Sequence, residues 1–398
     1  MIVIMIKKTV QKMLNLFSKM IPIRKTIILE SNPDFSDNTV VLFDEMLQDD
    51  KLMDYKFVWI VKNNSIPEKY LNKSNITFFQ LNKSGFYNKV KNKIQLLYLF
   101  ASASYVFFSH ILYSPFEPKN GQEVIFLTHG FHFKKGNGRH FNPKKVTKVL
   151  TLSDLDNEVA KRTYDVKGHK LVQLGYSRND LLFKQGGEID KFLPKEVLNK
   201  EIIVWLPTFR RHSNGKTNDS KKRETESDLP LINSTDDLQA LNSIVEKNNM
   251  LLIIKPHPAQ NMDYFKINSL SSILVITNQE LASYNCHLYD LLAVSSCLIT
   301  DYSSVFIDYL LLNKPIIFTS DDIDNYNDNL GFTLEGYQDY MPGIMVEIAS
   351  ELFDTLETKS YESESFREMR IKVKNEVHKN INGQYSNGII NYFFARKE

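Results

Sequence analysis

At 398 residues the chain has room for two domains with separate cores. Its 42% hydrophobic and 24% charged content excludes a disordered chain, and a net charge of +2 lacks the basic excess of a nucleic-acid binder. The two cysteines, Cys286 and Cys297, form no metal-like or redox-like pair, so reduced thiols are expected.

The chain opens with Ile4, Ile6, Val10, Met13 and Phe17 interleaved with Lys7, Lys8, Lys12 and Lys19. An apolar stripe beside lysines reads as an interfacial amphipathic helix over residues 1–24, and equally as a first helix packed on the domain. Lys7 and Lys8 interrupt any signal-peptide core, and no later run is apolar and charge-free enough to span a bilayer.

Residues 26–30, 56–61 and 76–79 read as short buried strands, with a helical stretch at 40–49. A helix is expected over 93–103, then strands at 105–108, 124–127, 148–152 and 170–174. After a soft region at 186–200 the alternation restarts, with strands at 202–206, 251–254, 273–276, 297–300 and 315–318. Buried strands alternating with helices predict parallel sheets. The expectation is an α/β chain of two doubly wound domains facing a central cleft. These are an N-terminal acceptor domain at 25–190 and a nucleotide-binding domain at 191–365, with a helical tail at 366–398 that crosses back. Residues 211–230 are polar with few apolar anchors, which predicts a mobile loop, either a flap over the cleft or a plain surface insertion.

Four polar clusters end apolar runs in the same manner: Thr128-His129-Gly130, Pro207-Thr208-Phe209-Arg210, Lys255-Pro256-His257-Pro258 and Asp301-Tyr302-Ser303-Ser304. In an open α/β sheet ligands gather at the carboxyl ends of strands. The Ser303-Ser304 elbow precedes a helix-like run and would offer hydroxyls and unpaired N–H groups to a phosphate; alternatively a serine there merely caps the helix. His129 is a candidate general base, with His132 as competitor, and Gly130 lets a ligand approach the backbone. His257, fixed between prolines, suits phosphate binding or protonation of a leaving oxygen, with Lys255 adding charge. Arg210 would clamp phosphate, whereas Arg178 either does so or pairs with Asp180. The run Lys134, Lys135, Arg139, His140, Lys144 and Lys145 is a solvated face or a surface for a polyanionic acceptor. Asp301 and Asp308, the latter one helical turn from Ser304, are the nearest carboxylates. No cluster has the ligand count of a metal site, so neither metal nor cofactor is expected.

These motifs, with Gly175-Tyr176-Ser177-Arg178-Asn179-Asp180, Asn313-Lys314-Pro315 and Tyr340-Met341-Pro342-Gly343, resemble the CDP-glycerol glycerophosphotransferases of teichoic acid and related polymer synthesis. The resemblance runs from about residue 30 to about residue 388. It implies a GT-B fold and transfer of glycerol phosphate, or a related polyol phosphate, from CDP-glycerol to a lipid-linked acceptor hydroxyl, releasing CMP. It places His129 as base and puts His257, Ser303 and Ser304 on the pyrophosphate. Arg210 and Arg178 lie nearby, with Thr128, Pro207, Thr208, Lys255 and Asp308 also lining the donor site. It implies peripheral work at the cytoplasmic membrane face, in agreement with the basic N-terminal helix. Where the family often has Thr-Pro-Leu after His-Gly, this chain has Phe131-His132-Phe133, whose rings would reshape the pocket beside His129. A GT-B glycosyltransferase using a CMP- or UDP-sugar is the rival reading.

Overall fold

The computed structural model describes residues 2–63, 66–81, 86–135, 141–184, 188–193, 197, 199–208, 227–263 and 265–395, without the side chains of 2–8 and 86–88. The chain forms two compact units. The first comprises Met1–Phe131, Gly138–Asp180 and Gln384–Glu398; the second comprises His132–Asn137 and Leu181–Gly383.

The first unit is built on seven strands: β1 (Arg24–Glu30), β2 (Lys56–Val61), β3 (Ile76–Gln80), β4 (Ala103–Phe108), β5 (Glu123–Phe126), β6 (Lys148–Leu150) and β7 (Leu171–Val172). They lie in the order β3-β2-β1-β4-β5-β6-β7, every pair parallel. Ile27, Ile28 and Leu29 of β1 are completely buried, the mark of a central strand covered on both faces. The strand order reverses between β1 and β4. At such a switch point the connections leave in opposite directions and open a crevice at the carboxyl ends.

The N-terminal helix α1 (Ile2–Met20) packs beside the helix Phe86–Ser102. It is fastened by hydrogen bonds as well as by packing. Gln11 Nε2 donates to the Pro115 carbonyl at 2.7 Å, and Asn15 Oδ1 accepts from the Glu117 N–H at 3.1 Å. Its outer face remains apolar and exposed: Met13 is 67%, Leu16 64% and Met20 76% accessible. Helix α2 (Asp37–Met46) follows β1. The last helix, Tyr385–Phe394, closes this unit, with the rings of Phe393 and Phe394 against Phe107 and that of Phe394 against Tyr105. Gly175, at φ +77°, lets the chain pass beneath Tyr385, whose ring would lie 2.4 Å from any Cβ there.

The second unit holds β8 (Glu201–Leu206), β9 (Met250–Ile254), β10 (Ile273–Val275), β11 (Cys297–Thr300), β12 (Ile316–Thr319) and β13 (Ile344–Val346). The order is β10-β9-β8-β11-β12-β13, again wholly parallel, with its switch point between β8 and β11. Each segment expected as a strand is one, and β13 is added beyond them. Residues 132–135 are woven into this unit. Lys135 N donates to the Gly331 carbonyl and Thr333 N to that of Phe133, both at 2.9 Å. The Phe133 ring is fully buried against Phe306 and Phe332, at centroid distances of 5.0 and 5.2 Å. That ring is therefore part of the core of the second unit.

The loop expected at 211–230 lies mostly outside the described residues, but residues 227–230 are buried. Leu229, Leu231 and Ile232 anchor this end in the core.

Candidate active site

In the first unit, the carboxyl ends of the neighbouring strands β1, β4 and β5 bring Glu30, Ser109-His110 and Thr128-His129-Gly130 to one edge. The turn carrying His129 is unusual. Thr128 has φ +59°, a left-handed conformation that β-branched residues avoid, and Gly130 has φ +131°. The His129 and His110 rings stack with centroids 5.1 Å apart and planes 21° from parallel. Asp37, at the start of α2, lies 2.7 Å from Arg178 Nη1 and 3.8 Å from His110 Nε2. Arg178 Nη1 also donates to the His129 carbonyl at 2.9 Å, and its guanidinium sits over the Tyr176 ring. The ion-pair partner of Arg178 is thus Asp37, while Asp180 accepts from the N–H groups of Tyr385 and Ser386.

Burial sets the charges here. Protein crowds His129 although the residue is exposed, and the loss of water lowers its pKa. Asp37 pushes back upward, while Arg178 adds to the lowering. His110 is driven down to about 4 by burial, against the pull of Asp37. Burial would raise Asp37, but Arg178, His110 and His129 outweigh it and hold the carboxylate below its usual range. Two imidazoles beside a paired carboxylate are thus kept unprotonated at neutral pH, the state a general base requires. Glu30 goes the other way: burial lifts it to about 7, although its Oε2 accepts from the N–H groups of Ile111 and His110.

In the second unit, β8 and β11 deliver Pro207-Thr208 and Asp301-Tyr302-Ser303-Ser304, and β9 delivers Lys255-Pro256-His257-Pro258. Asp301, fully buried, organises this edge. Its Oδ2 accepts from Thr208 N at 2.8 Å, and its Oδ1 from the Thr208 hydroxyl at 2.6 Å and Ser303 N at 3.0 Å. Ser304 precedes the short helix Val305–Tyr309, yet its hydroxyl makes no capping bond, so the capping alternative does not account for it. The His257 Nδ1 accepts from Ala259 N at 3.0 Å. That bond places the neutral ring's proton on Nε2, which becomes the donor. Lys255 is buried next to it, and desolvation lowers its pKa to about 8.

The remaining expected residues fall as follows. Arg210, Phe209, Arg139 and His140 lie outside the described residues. Asp308 is wholly buried and accepts the Tyr289 hydroxyl at 2.5 Å, beneath the elbow. His132 belongs to the second unit, its carbonyl receiving the Thr333 hydroxyl. The basic run divides, Lys134 and Lys135 going to the second unit and Lys144 and Lys145 to the first. Among the described residues no group of three or more His, Cys, Asp or Glu side chains could hold a metal ion.

The family model of the CDP-glycerol:poly(glycerophosphate) glycerophosphotransferases matches residues 13–395. The chain belongs to this family. Among curated relatives of the chain are the ribitol-phosphate polymerases TarK and TarL of Staphylococcus aureus. TarK is 27% identical over 366 residues, covering 85% of this chain and 63% of its own length. TarL is 27% identical over 357 residues, covering 84% and 56%. The chain therefore spans somewhat under two thirds of these relatives. The solved wall teichoic acid polymerase TagF superposes with a TM-score of 0.72 at 20% identity, covering 99% of this chain and 94% of that one. This likeness shows the fold, the GT-B class of two doubly wound parallel α/β units.

The sequence motifs led to His129, His257, Ser303 and Ser304 but passed over Glu30, Asp37, Asn38 and His110. Two of these carried the same signal as the rest. Glu30 ends β1 and His110 stands two residues beyond β4, so the strand-end rule applied to every strand finds both. Asp37 and Asn38 carry no such signal, because they open a helix.

Proposed function

We propose that the chain transfers a polyol phosphate, glycerol phosphate or ribitol phosphate, from its CDP derivative to an acceptor hydroxyl in teichoic acid synthesis. The observation that carries this reading is the family match across residues 13–395, together with a histidine at a carboxyl strand end in each unit. The family description supports glycerol, and the names of TarK and TarL support ribitol. A TagF variant has also been soaked with CDPG.

In this reading His129 accepts the proton of the acceptor hydroxyl as its oxygen attacks the phosphorus bearing the polyol. The bond from that phosphorus to the bridging oxygen breaks, and CMP leaves with the electron pair. His257 Nε2–H, Lys255 and the Ser303-Ser304 elbow receive the charge that develops on the diphosphate. Arg210 joins them. Thr208 and Asp301 shape this corner through their mutual bonds, Asp308 supports it from beneath through Tyr289, and Arg178 serves the first unit by holding the base. No cofactor is assigned.

The exposed apolar face of α1, flanked by Lys12 and Lys19, is suited to an anionic lipid surface at the cytoplasmic membrane face, where a lipid-linked acceptor resides. No described helix is long and apolar enough to cross a membrane.

The test offers purified protein CDP-glycerol, CDP-ribitol and UDP-sugars with a lipid-linked disaccharide acceptor, and follows nucleotide release and product size. CMP released from a CDP-polyol is expected. Consumption of sugar nucleotides with neither CDP-polyol touched would overturn the reading in favour of a glycosyltransferase. Removal of residues 1–22 should abolish binding to anionic vesicles, and undiminished binding would refute the role of α1.

A further inference from the structure

We infer that Asn38 is a positioning residue for the reaction, holding the strained turn that presents His129. The inference rests on the reading of His129 as general base. Asn38 is completely buried at the start of α2, and its side-chain amide bonds to main-chain groups of the site. Its Nδ2 donates to the carbonyls of Leu127 at 3.3 Å and Thr128 at 3.0 Å. Its Oδ1 accepts from Arg178 N at 3.1 Å, and its own carbonyl accepts the Ser177 hydroxyl at 2.6 Å. Arg178 Nη1 takes the next carbonyl, that of His129, at 2.9 Å. Three consecutive carbonyls, 127 to 129, are therefore each gripped by a side chain from a distant part of the chain.

Such a grip has a physical purpose. A threonine at φ +59° crowds its Cβ against the backbone, and the turn would relax to an extended form unless its surroundings fixed it. The hydroxyl of Thr128 is buried with no partner among the described residues, so it contributes nothing to holding the conformation. Asn38 and Arg178 supply what Thr128 lacks. Asp37, adjacent in sequence and itself at φ +58°, completes the brace by pairing with Arg178. A shift of the base by about 1 Å is enough to cost a factor of about 100 in turnover, which gives the network a catalytic consequence out of proportion to its distance from any ligand.

The test uses the full chain with Asn38→Ala, and Asn38→Ser should the first variant fail to fold. Thermal unfolding identifies the folded material. The expected result is kcat for CMP release lowered about 10- to 100-fold, with KM for CDP-glycerol within about twofold of the parent. Adding Thr128→Gly to Asn38→Ala should recover part of the loss, since glycine adopts the turn without being held. Independently of turnover, the His129 ring signals in isotope-labelled protein should shift or broaden while those of His257 stay in place. A folded Asn38 variant with unchanged kcat, or with unmoved His129 signals, overturns the inference. Should the parent release no CMP from any CDP-polyol, the functional reading fails, and the ring signals still decide whether Asn38 holds the turn.

Discussion

His110 stacks on His129, ring centroids 5.1 Å apart and planes 21° from parallel, with Asp37 3.8 Å from the His110 Nε2. Both imidazoles are depressed by burial, so both are neutral at pH 7. A base must be unprotonated to work, so kcat/KM should hold steady at neutral pH and fall as pH drops through the His129 value, below 6.5. Asp37→Asn removes the negative charge that props this value up, and the acid limb should move lower still. A profile whose acid limb lies above pH 7 would mean that another group is titrating.

His129→Ala should reduce turnover by about 10² to 10⁴, the usual contribution of a general base, while nucleotide affinity changes little. Isothermal titration with CMP beside a turnover assay separates the two. Retained turnover would turn attention to His132.

Lys255 should show a conflict between stability and function. Its folded pKa of about 8 lies below the unfolded 10.5, so the unfolded chain binds the proton more readily between these values and stability rises with pH across that window. Below pH 8 the charged, buried ammonium costs about 3 kcal/mol. Lys255→Met should therefore raise Tm at pH 7 while raising KM for the CDP-polyol at least about tenfold, the loss of a charge-assisted contact. A lowered Tm would show that the ammonium is satisfied within the protein.

Glu30 runs in the opposite sense. Its folded pKa of about 7 exceeds the unfolded 4.5, so the folded chain keeps the proton longer, and stability falls as pH rises from 4.5 through 7. By pH 8 the ionised carboxylate costs about 3 kcal/mol. Glu30→Gln should lift Tm at pH 8 and leave it nearly unchanged at pH 4. Equal shifts at both pH values would count against a buried, titrating carboxyl.

Ser304→Ala distinguishes ligand contact from helix capping. A lost cap costs about 1 kcal/mol. Since Ser304 makes no capping bond, Tm should stay put while KM for the CDP-polyol rises. A drop in Tm with constant KM would restore the capping interpretation.

Most of the framework was legible because buried parallel strands write themselves as unbroken apolar runs, as in Ile27-Ile28-Leu29 and Leu251-Leu252-Ile253-Ile254. The strand Ile344–Val346 was not, being three residues long with Met345 partly exposed at the sheet edge. The strand-end clusters were legible for the same reason as the strands. The work of Asn38 was hidden, because one amide reaching carbonyls 89 and 90 residues away leaves no periodicity to read. Phe133 misled for a related reason: its neighbourhood in sequence is His129, but its neighbourhood in space is Phe306 and Phe332.

The threading of residues His132–Asn137 into the second unit and of Gln384–Glu398 into the first has a practical corollary. No single cut yields two self-sufficient halves. A fragment ending at Asp180 would forfeit the aromatic cover that Phe393 and Phe394 give β4, and would leave Phe133 with no core to enter. The complementary fragment would lack the residues that pair with Gly331 and Thr333. Dissection of this protein into expressible parts calls for a rearranged gene, with each borrowed piece grafted back onto the half it completes.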